Sequence, residues 1–440
     1  MKVGILGGGL TGLTLGNFLG KSAEILEKDS EAGGLCRSLR EDGFTFDYCG
    51  SHIIFSRDKE VLKFMTGLLG ENQVKNRRNT KIAFRGRYVK YPFENGLGDL
   101  PFSDNASCLF HYLANYAGKR LGLRGSPKNF EEWVYWNFGK GIAERYMLPY
   151  NEKVWNAKGK EMGLEWVAGR VPEPPVMDVL KSSLGFETEG YSHQLFFYYP
   201  KQGGIQALPK ELERRAEAKV TKGFGVKKIR PEGKSWVVSN GTKDKVFDRI
   251  VSTIHISDLA NSLSGVPKDV KDAVGGLRHN SLVTVMVGLD AGKINDFSWL
   301  YVPDRGVMAN RISFPSNFSP NAAPEGKSSV LAEITCVEDD EVWRKSDENL
   351  ASETIDDMHK LGIIDKKDVC YSGVRRTGYA YVVYDLDYAK NIKVARDYFK
   401  QLGIDLCGRF SEFVYLNMDA CIRRAMDKAK ERGGQLERQK

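Results

Sequence analysis

Long apolar runs are missing from this chain of 440 residues. No stretch approaches the ~20 consecutive apolar residues of a membrane-spanning helix, so no membrane span is expected. Histidine is sparse: the six residues are dispersed and form no HExxH pair, which removes that class of zinc site. The seven cysteines (Cys36, Cys49, Cys108, Cys336, Cys370, Cys407 and Cys421) include no CxxC pair. An odd, scattered set builds no disulfide framework; it points to reduced thiols in a cytoplasmic protein with no metal site. Internal repeats and low-complexity tracts are also lacking. So is a strong charge imbalance, since Lys+Arg number 65 against 57 Asp+Glu. Much of that excess lies near the C-terminus (Arg423, Arg424, Lys428, Lys430, Arg432, Arg438, Lys440). It reads as a solvated basic helix and tail, with no nucleic-acid partner implied. What remains is an ordinary globular composition, 41% hydrophobic and 28% charged, in a chain long enough for two or three domains.

Glycine is plentiful where it matters. Gly7-Gly8-Gly9-Leu10-Thr11-Gly12 follows an apolar run (Val3, Ile5, Leu6) and opens another (Leu13, Leu15, Phe18, Leu19). The first run reads as a strand and the second as a helix. Glu27 lies 20 residues after Gly7, at the end of a second short apolar run, Ile25-Leu26. This is the dinucleotide fingerprint in strand–turn–helix context. Gly7 permits the tight turn, Gly9 lets backbone approach a pyrophosphate, Gly12 lets helix pack on strand, and Glu27 can hold a ribose hydroxyl. The helix N-terminus favours the anion.

A second glycine pair, Gly33-Gly34, follows directly. A protein that binds only a nicotinamide cofactor needs no further close approach there, so FAD is expected over NAD. Further along, Lys81–Phe84 and Arg87–Tyr91 read as a hairpin turning at Arg85-Gly86. Residues 100–190 read as mostly helical and rich in rings (Phe110, Tyr112, Tyr116, Trp133, Tyr135, Trp136, Tyr146, Trp155, Trp166), most of them expected in the core. Gly225–Ile229 and Ser235–Val238 read as paired strands, and Phe413–Tyr415 as a strand before a final helix.

The glycine arrangement resembles the glutathione-reductase-type FAD domain of the amine oxidase and protoporphyrinogen oxidase superfamily. The fold expected is therefore α/β: a Rossmann-like FAD-binding domain (1–85, 195–260 and 376–440), a mainly helical substrate insertion (86–194) and a mixed β-sheet substrate domain (261–375). The resemblance implies that Gly33, Gly34, Gly50, Ser51, Val226 and Arg409 join Gly7, Gly9, Gly12 and Glu27 at the cofactor. It also implies that Asn417, Met418 and Asp419 open a helix aimed at the flavin.

Several later segments resemble UDP-galactopyranose mutase, especially its eukaryotic type. They are Phe46-Asp47 with Gly50–Ser56, Tyr91–Asn95, Pro149–Trp155, Gly169-Arg170-Val171, Trp299-Leu300-Tyr301, Arg311, Ser316–Pro320, Gly378-Tyr379 and Gly408 through Asp419. In that family reduced FAD attacks the anomeric carbon of UDP-galactose through N5, and pyranose becomes furanose without net redox change. The resemblance implies a nucleotide-sugar substrate, a reduced FAD, and NAD(P)H as a candidate external reductant. Arg170 and Arg311 would grip the diphosphate, and His52 would face the flavin. Tyr379 and Tyr415 would add hydroxyls to the diphosphate. Tyr91, Phe93, Asn151, Trp155 and Tyr301 would form the nucleotide pocket, with Trp299 beside the sugar. From the residues alone, each arginine also fits a salt bridge, each ring fits the core, and His52 fits a loop. The alternative activity is FAD-dependent oxidation of an amine-, porphyrinogen- or isoprenoid-like substrate. Oligomeric state is not indicated.

Overall fold

The computed structural model describes residues 1–123, 125–167, 173–188 and 195–437, the last five by backbone alone. Val3–Leu6 is buried along its whole length because strands flank it on both sides. It pairs in parallel with Arg249–Ser252 and with Ala23–Leu26. Asp405–Leu406 and Lys219–Thr221 complete a five-stranded parallel sheet, which explains the continuous apolar runs in the sequence. Helix Leu10–Leu19 covers one face together with the last helix, Met418–Glu437. On the other face lies a three-stranded antiparallel sheet, Lys228–Glu232, Ser235–Ser239 and Asp244–Phe247. Its Phe247 ring lies so close to Gly4 that a side chain there would meet ring carbons at 2.7 Å. Three layers and an α/β fold result, as the fingerprint implies. The first strand of the small sheet begins at Lys228, leaving Val226 in the preceding loop.

A seven-stranded mixed sheet is the second structural body. Its order is Val369–Val382, His279–Leu289, Ser328–Cys336, Arg311–Ser313, Trp299–Tyr301, Thr80–Phe84, Arg87–Lys90. The pairing of Trp299–Tyr301 with Thr80–Ile82 is parallel; the other pairings are antiparallel. This sheet takes strands from both sides of the expected limits at 85/86 and 375/376. The hairpin turns at Arg85 (φ 48°) and Gly86 (φ 73°), two successive left-handed residues as a tight two-residue turn requires. The stretch after this hairpin supplies the helices Phe102–Arg120, Phe130–Ile142, Leu148–Trp155 and Val176–Ser183.

Two expectations are corrected, those for Phe413–Tyr415 and for the C-terminal cations. Phe413–Tyr415 is not a strand: Phe413 ends a turn with φ 51°, outside the extended region, and Val414 and Tyr415 are irregular. Phe110 is 69% exposed, whereas Tyr112, Tyr146, Trp155 and Trp166 are buried as expected. The C-terminal cations are not simply solvated. Arg423 donates to Asp58 and Glu60 (2.8 and 2.7 Å), and Lys428 and Arg432 pair with Asp405, so the basic excess fastens the last helix to the cofactor domain. Arg438 and Lys440 lie outside the described residues. Six cysteines are buried thiols and Cys370 is an exposed one. Among the described residues no helix is long and apolar enough to cross a membrane, and no group of three or more His, Cys, Asp or Glu could hold a metal ion.

Candidate active site

A cavity of about 1070 Å³ begins at the carboxyl ends of the parallel strands, at Gly7, Glu27 and Thr253. It continues to side chains of the mixed sheet, Trp299, Tyr301, Arg311 and Tyr381. Ligands of open α/β sheets sit at such strand ends.

The first part of the cavity is a glycine cradle. Gly7 has φ +102°, and a β-carbon on Gly12 would lie 2.0 Å from the Gly7 carbonyl oxygen, so the helix can start this close to the strand only with glycine at both positions. Gly9 bridges Gly33, and the Gly33 amide donates to the Gly8 carbonyl at 2.8 Å, which joins the two glycine turns. Both Glu27 carboxylate oxygens accept backbone amides, from Gly8 at 2.8 Å and Asp29 at 2.9 Å. That fixes its orientation and leaves lone pairs for a hydroxyl. Gly34, Ser51, Val226, Arg409, Asn417 and Met418 also line the cavity. Gly12, Gly50 and Asp419 do not: Gly12 packs helix on strand, the Gly50 carbonyl accepts from His52 Nδ1 at 2.7 Å, and Asp419 accepts from the Ser56 hydroxyl at 2.7 Å. Arg37 Nε and Arg409 Nε are buried without hydrogen-bond partners, on side chains that line the same space. Buried guanidinium donors without acceptors fit an anionic, phosphate-bearing cofactor.

Behind the cradle, Asp47 is 3% exposed and accepts from Ser38 Oγ (2.7 Å), Tyr199 Oη (2.9 Å) and the Ile205 amide (3.0 Å). Burial pushes its carboxyl up to about 6 against those donors. It ties the second glycine turn to the returning chain at 199–205.

The far part of the cavity joins cations to phenols. Arg311 is held by a buried carboxylate that the motifs did not reveal: its Nε and Nη2 donate to Glu333 at 2.7 Å each, and Nη2 also reaches the Ser51 carbonyl at 3.2 Å. Glu333 is 0% exposed and accepts the Ser51 amide at 3.1 Å as well. A single acid inside the otherwise apolar run Val330–Ile334 was its sequence signal. Arg78, also missed, stacks over Tyr91 (5.0 Å) and Trp299 (4.8 Å). Arg409 lies over Tyr415 at 4.4 Å and Tyr381 at 5.4 Å. Tyr91 and Tyr301 touch at 5.0 Å between ring centres. His52 is drawn down to about 4, by burial first and then by the nearby Arg311 and Arg409 charges. It is neutral at pH 7, with Nδ1–H committed to the Gly50 carbonyl and Nε2 left as an acceptor.

Other expected site residues stand elsewhere. Phe93 is fully buried and stacks on Tyr146 at 5.0 Å, as a core ring. Asn151 donates back to the Met147 carbonyl at 2.8 Å within its helix. Trp155 lies behind the cavity wall, edge-on to Tyr415 at 5.6 Å. Tyr379 lines the cavity, but its hydroxyl donates to Asp258 at 3.0 Å and its ring stacks on His255 at 3.8 Å. Tyr381 stands with Arg409 and Tyr415 in its place. Arg170 lies outside the described residues, as do its neighbours Gly169 and Val171.

The family model of flavin containing amine oxidoreductases matches residues 17–409. The chain belongs to that family. For a flavin-containing amine oxidoreductase the cradle has its expected ligand, FAD. The family member shares 23% identity with chloroplastic protoporphyrinogen oxidase of Nicotiana tabacum, over 99% of this chain and 86% of the relative. Its fold matches that of reduced UDP-galactopyranose mutase with a TM-score of 0.88 and 24% identity, covering 99% of this chain and 94% of the other. It matches a candidate protoporphyrinogen oxidase of Exiguobacterium sp. 255-15 with a TM-score of 0.76 and 18% identity, covering 98% of each chain.

Proposed function

We propose that this flavin-dependent enzyme is a UDP-hexose mutase that contracts UDP-galactopyranose, or a close relative, to the furanose. One observation carries the reading: Arg78, Arg311 and Arg409 line the same cavity as the glycine cradle, together with Tyr91, Tyr301, Tyr381 and Tyr415. Fixed guanidinium groups and phenol hydroxyls suit two linked phosphoryl groups. The likeness in fold to UDP-galactopyranose mutase and the sequence motifs support the same reading.

When bound and reduced, with NAD(P)H as the proposed reductant, FAD supplies the nucleophile for covalent catalysis at the anomeric carbon. The residues have separate tasks. Glu333 occupies Nε and Nη2 of Arg311, which leaves the Nη1 edge to bind a diphosphate oxygen in a fixed direction. Tyr381 and Tyr415, braced by the Arg409 guanidinium that faces the cofactor, offer hydroxyls to the second phosphoryl group. Arg170 is proposed as a further phosphate ligand. Trp299 and Tyr301 wall the sugar and nucleotide, and the Nε2 of neutral His52 accepts a hydrogen bond without adding charge near the flavin.

The test is to give the dithionite-reduced protein UDP-galactopyranose and separate the products by chromatography. Furanose product is expected, together with a flavin absorbance change on adding UDP. No product and no UDP response would remove the mutase reading. A second reading, FAD-dependent oxidation of an amine-, porphyrinogen- or isoprenoid-like substrate, is supported by the alignment with the tobacco protoporphyrinogen oxidase over 99% of this chain. It predicts flavin bleaching by such a substrate and reoxidation by oxygen or a quinone.

A further inference from the structure

On the helix Phe102–Arg120 the acid Asp104 is buried and Lys119 is largely covered, and the exposed cation is Arg120 at the C-terminal end. Between Asp104 and Lys119 its exposed positions are Ala106, Phe110, Ala114 and Ala117, all apolar. A helix on a protein surface ordinarily carries polar residues on that side. The opposite side is already used, since Asp104, Cys108, Tyr112 and Asn115 are buried. Phe102 (87% exposed) and Leu121 (72%) extend the stripe at its two ends. The neighbouring helix Val176–Ser183 is stitched alongside by Asn105 and Ser183, which exchange hydrogen bonds of 2.8 and 2.6 Å. On and just beyond that helix, Met177, Leu184 and Phe186 are 60%, 72% and 64% exposed.

We propose that this face docks a second copy of the chain, with the two long helices antiparallel about a twofold axis. The order of sizes along the stripe is self-complementary. An axis near residue 112 sets Phe110 of each copy against Ala114 of the other, Ala106 against Ala117, and Phe102 against Leu121. Phe110 of each copy then enters the gap over Ala114 of the other, Ala106 and Ala117 allow close approach beside it, and Phe102 meets Leu121 at the two ends, an arrangement an isologous helix pair can adopt. The area is sufficient. Aromatic side chains carry about 150–250 Å² each. With Leu123, the large apolar residues named here offer on the order of 800 Å², and a standard interface buries ~800 Å² per partner. Lys119 is taken up by Glu173 (2.6 Å) and the Trp136 ring (3.6 Å), while Arg120 at the helix end and Lys181 on the neighbouring helix are exposed, so binding to an anionic bilayer is the outcome to separate from a second copy.

Sedimentation of the FAD-loaded full chain, up to about 50 µM, tests this. Wild type is expected at twice the 49.4 kDa chain mass. Phe110→Ala and Ala114→Phe are each expected to weaken association about tenfold, and the double substitution to restore most of it, because it exchanges large for small across the axis. Both positions are exposed, so flavin content and circular dichroism should not change. A wild type that stays monomeric, a dimer indifferent to both single substitutions, or a double variant no better than the singles would overturn the proposal. So would a monomer that floats with anionic vesicles through Phe110.

Discussion

At the scale of single residues, two tyrosines separated by one position have different surroundings. Tyr381 pairs with Asn280 in the ladder, but the next pair is Thr377 with Leu282. Four residues on one strand therefore face two on the other, and Tyr379 falls in the irregular stretch, where it turns to Asp258 and His255. Tyr381→Phe is expected to lower kcat/KM about tenfold, whereas Tyr379→Phe should leave it within about twofold; steady-state kinetics with the UDP-sugar decides. The motif Gly378-Tyr379 could not reveal this, because period-two reasoning puts both rings on one face and only the bulge separates them. Arg311 makes a related point. Arg311→Ala would strand the fully buried Glu333, a change that costs about 3–5 kcal/mol and confuses catalysis with folding. Arg311→Lys keeps the charge and loses the fork. It should retain flavin absorbance while kcat/KM falls about a hundredfold, and equal turnover by both proteins would rule out a phosphate-gripping role.

At the scale of elements, the site depends on how the insertion meets the mixed sheet. Lys153, on the helix Leu148–Trp155, reaches into the loop joining Trp299–Tyr301 to Arg311–Ser313. Its ammonium donates to the carbonyls of Val302 (3.1 Å), Asp304 (2.7 Å) and Ala309 (2.7 Å). Trp299, Tyr301 and Arg311 are thereby held from outside the cavity. Lys153→Met is expected to raise the KM for UDP-sugar about tenfold with kcat changed less, because it frees the loop without touching the proposed reacting groups. A kcat loss with unchanged KM would contradict that clamp role. The hairpin at Arg85-Gly86 and the β-α-β start were legible because local turn chemistry and periodicity decide them. The Lys153 clamp and the Arg311–Glu333 pair were not legible, because residues about 150 and 22 positions apart meet only after the sheet has formed. The exposure of Phe110 was not legible either, because helical spacing marks a stripe but not which side of it is covered.

At the scale of the whole molecule, the buried titratable groups set how the fold responds to acid. Burial first, and then the cations of Arg311 and Arg409, hold His52 near 4 against an ordinary 6.5. His255, 3% exposed and beside His279, is held near 3. The unfolded chain therefore takes up protons below about pH 6.5 that the folded chain refuses, so both groups remove stability as pH falls from 6.5 towards 4. Asp47 acts in the opposite sense. Its folded carboxyl protonates near 6 and its unfolded one near 3.8, so it adds stability as pH falls below 6. Two imidazoles outweigh one carboxyl, and the net result is loss. Below pH 4.5 Glu24 adds to the loss. Burial raises its carboxyl, but hydrogen bonds from Lys245, Lys2 and Thr221 prevail and hold it near 2. Thermal denaturation should therefore show Tm falling steadily from pH 6.5 to 4. In His255→Asn the side chain can still accept the Ser257 amide that His255 now accepts at 3.2 Å, but it no longer titrates. Its Tm should fall less steeply over the same interval, and a slope equal to wild type would show that the imidazole at this position is not a source of the acid sensitivity.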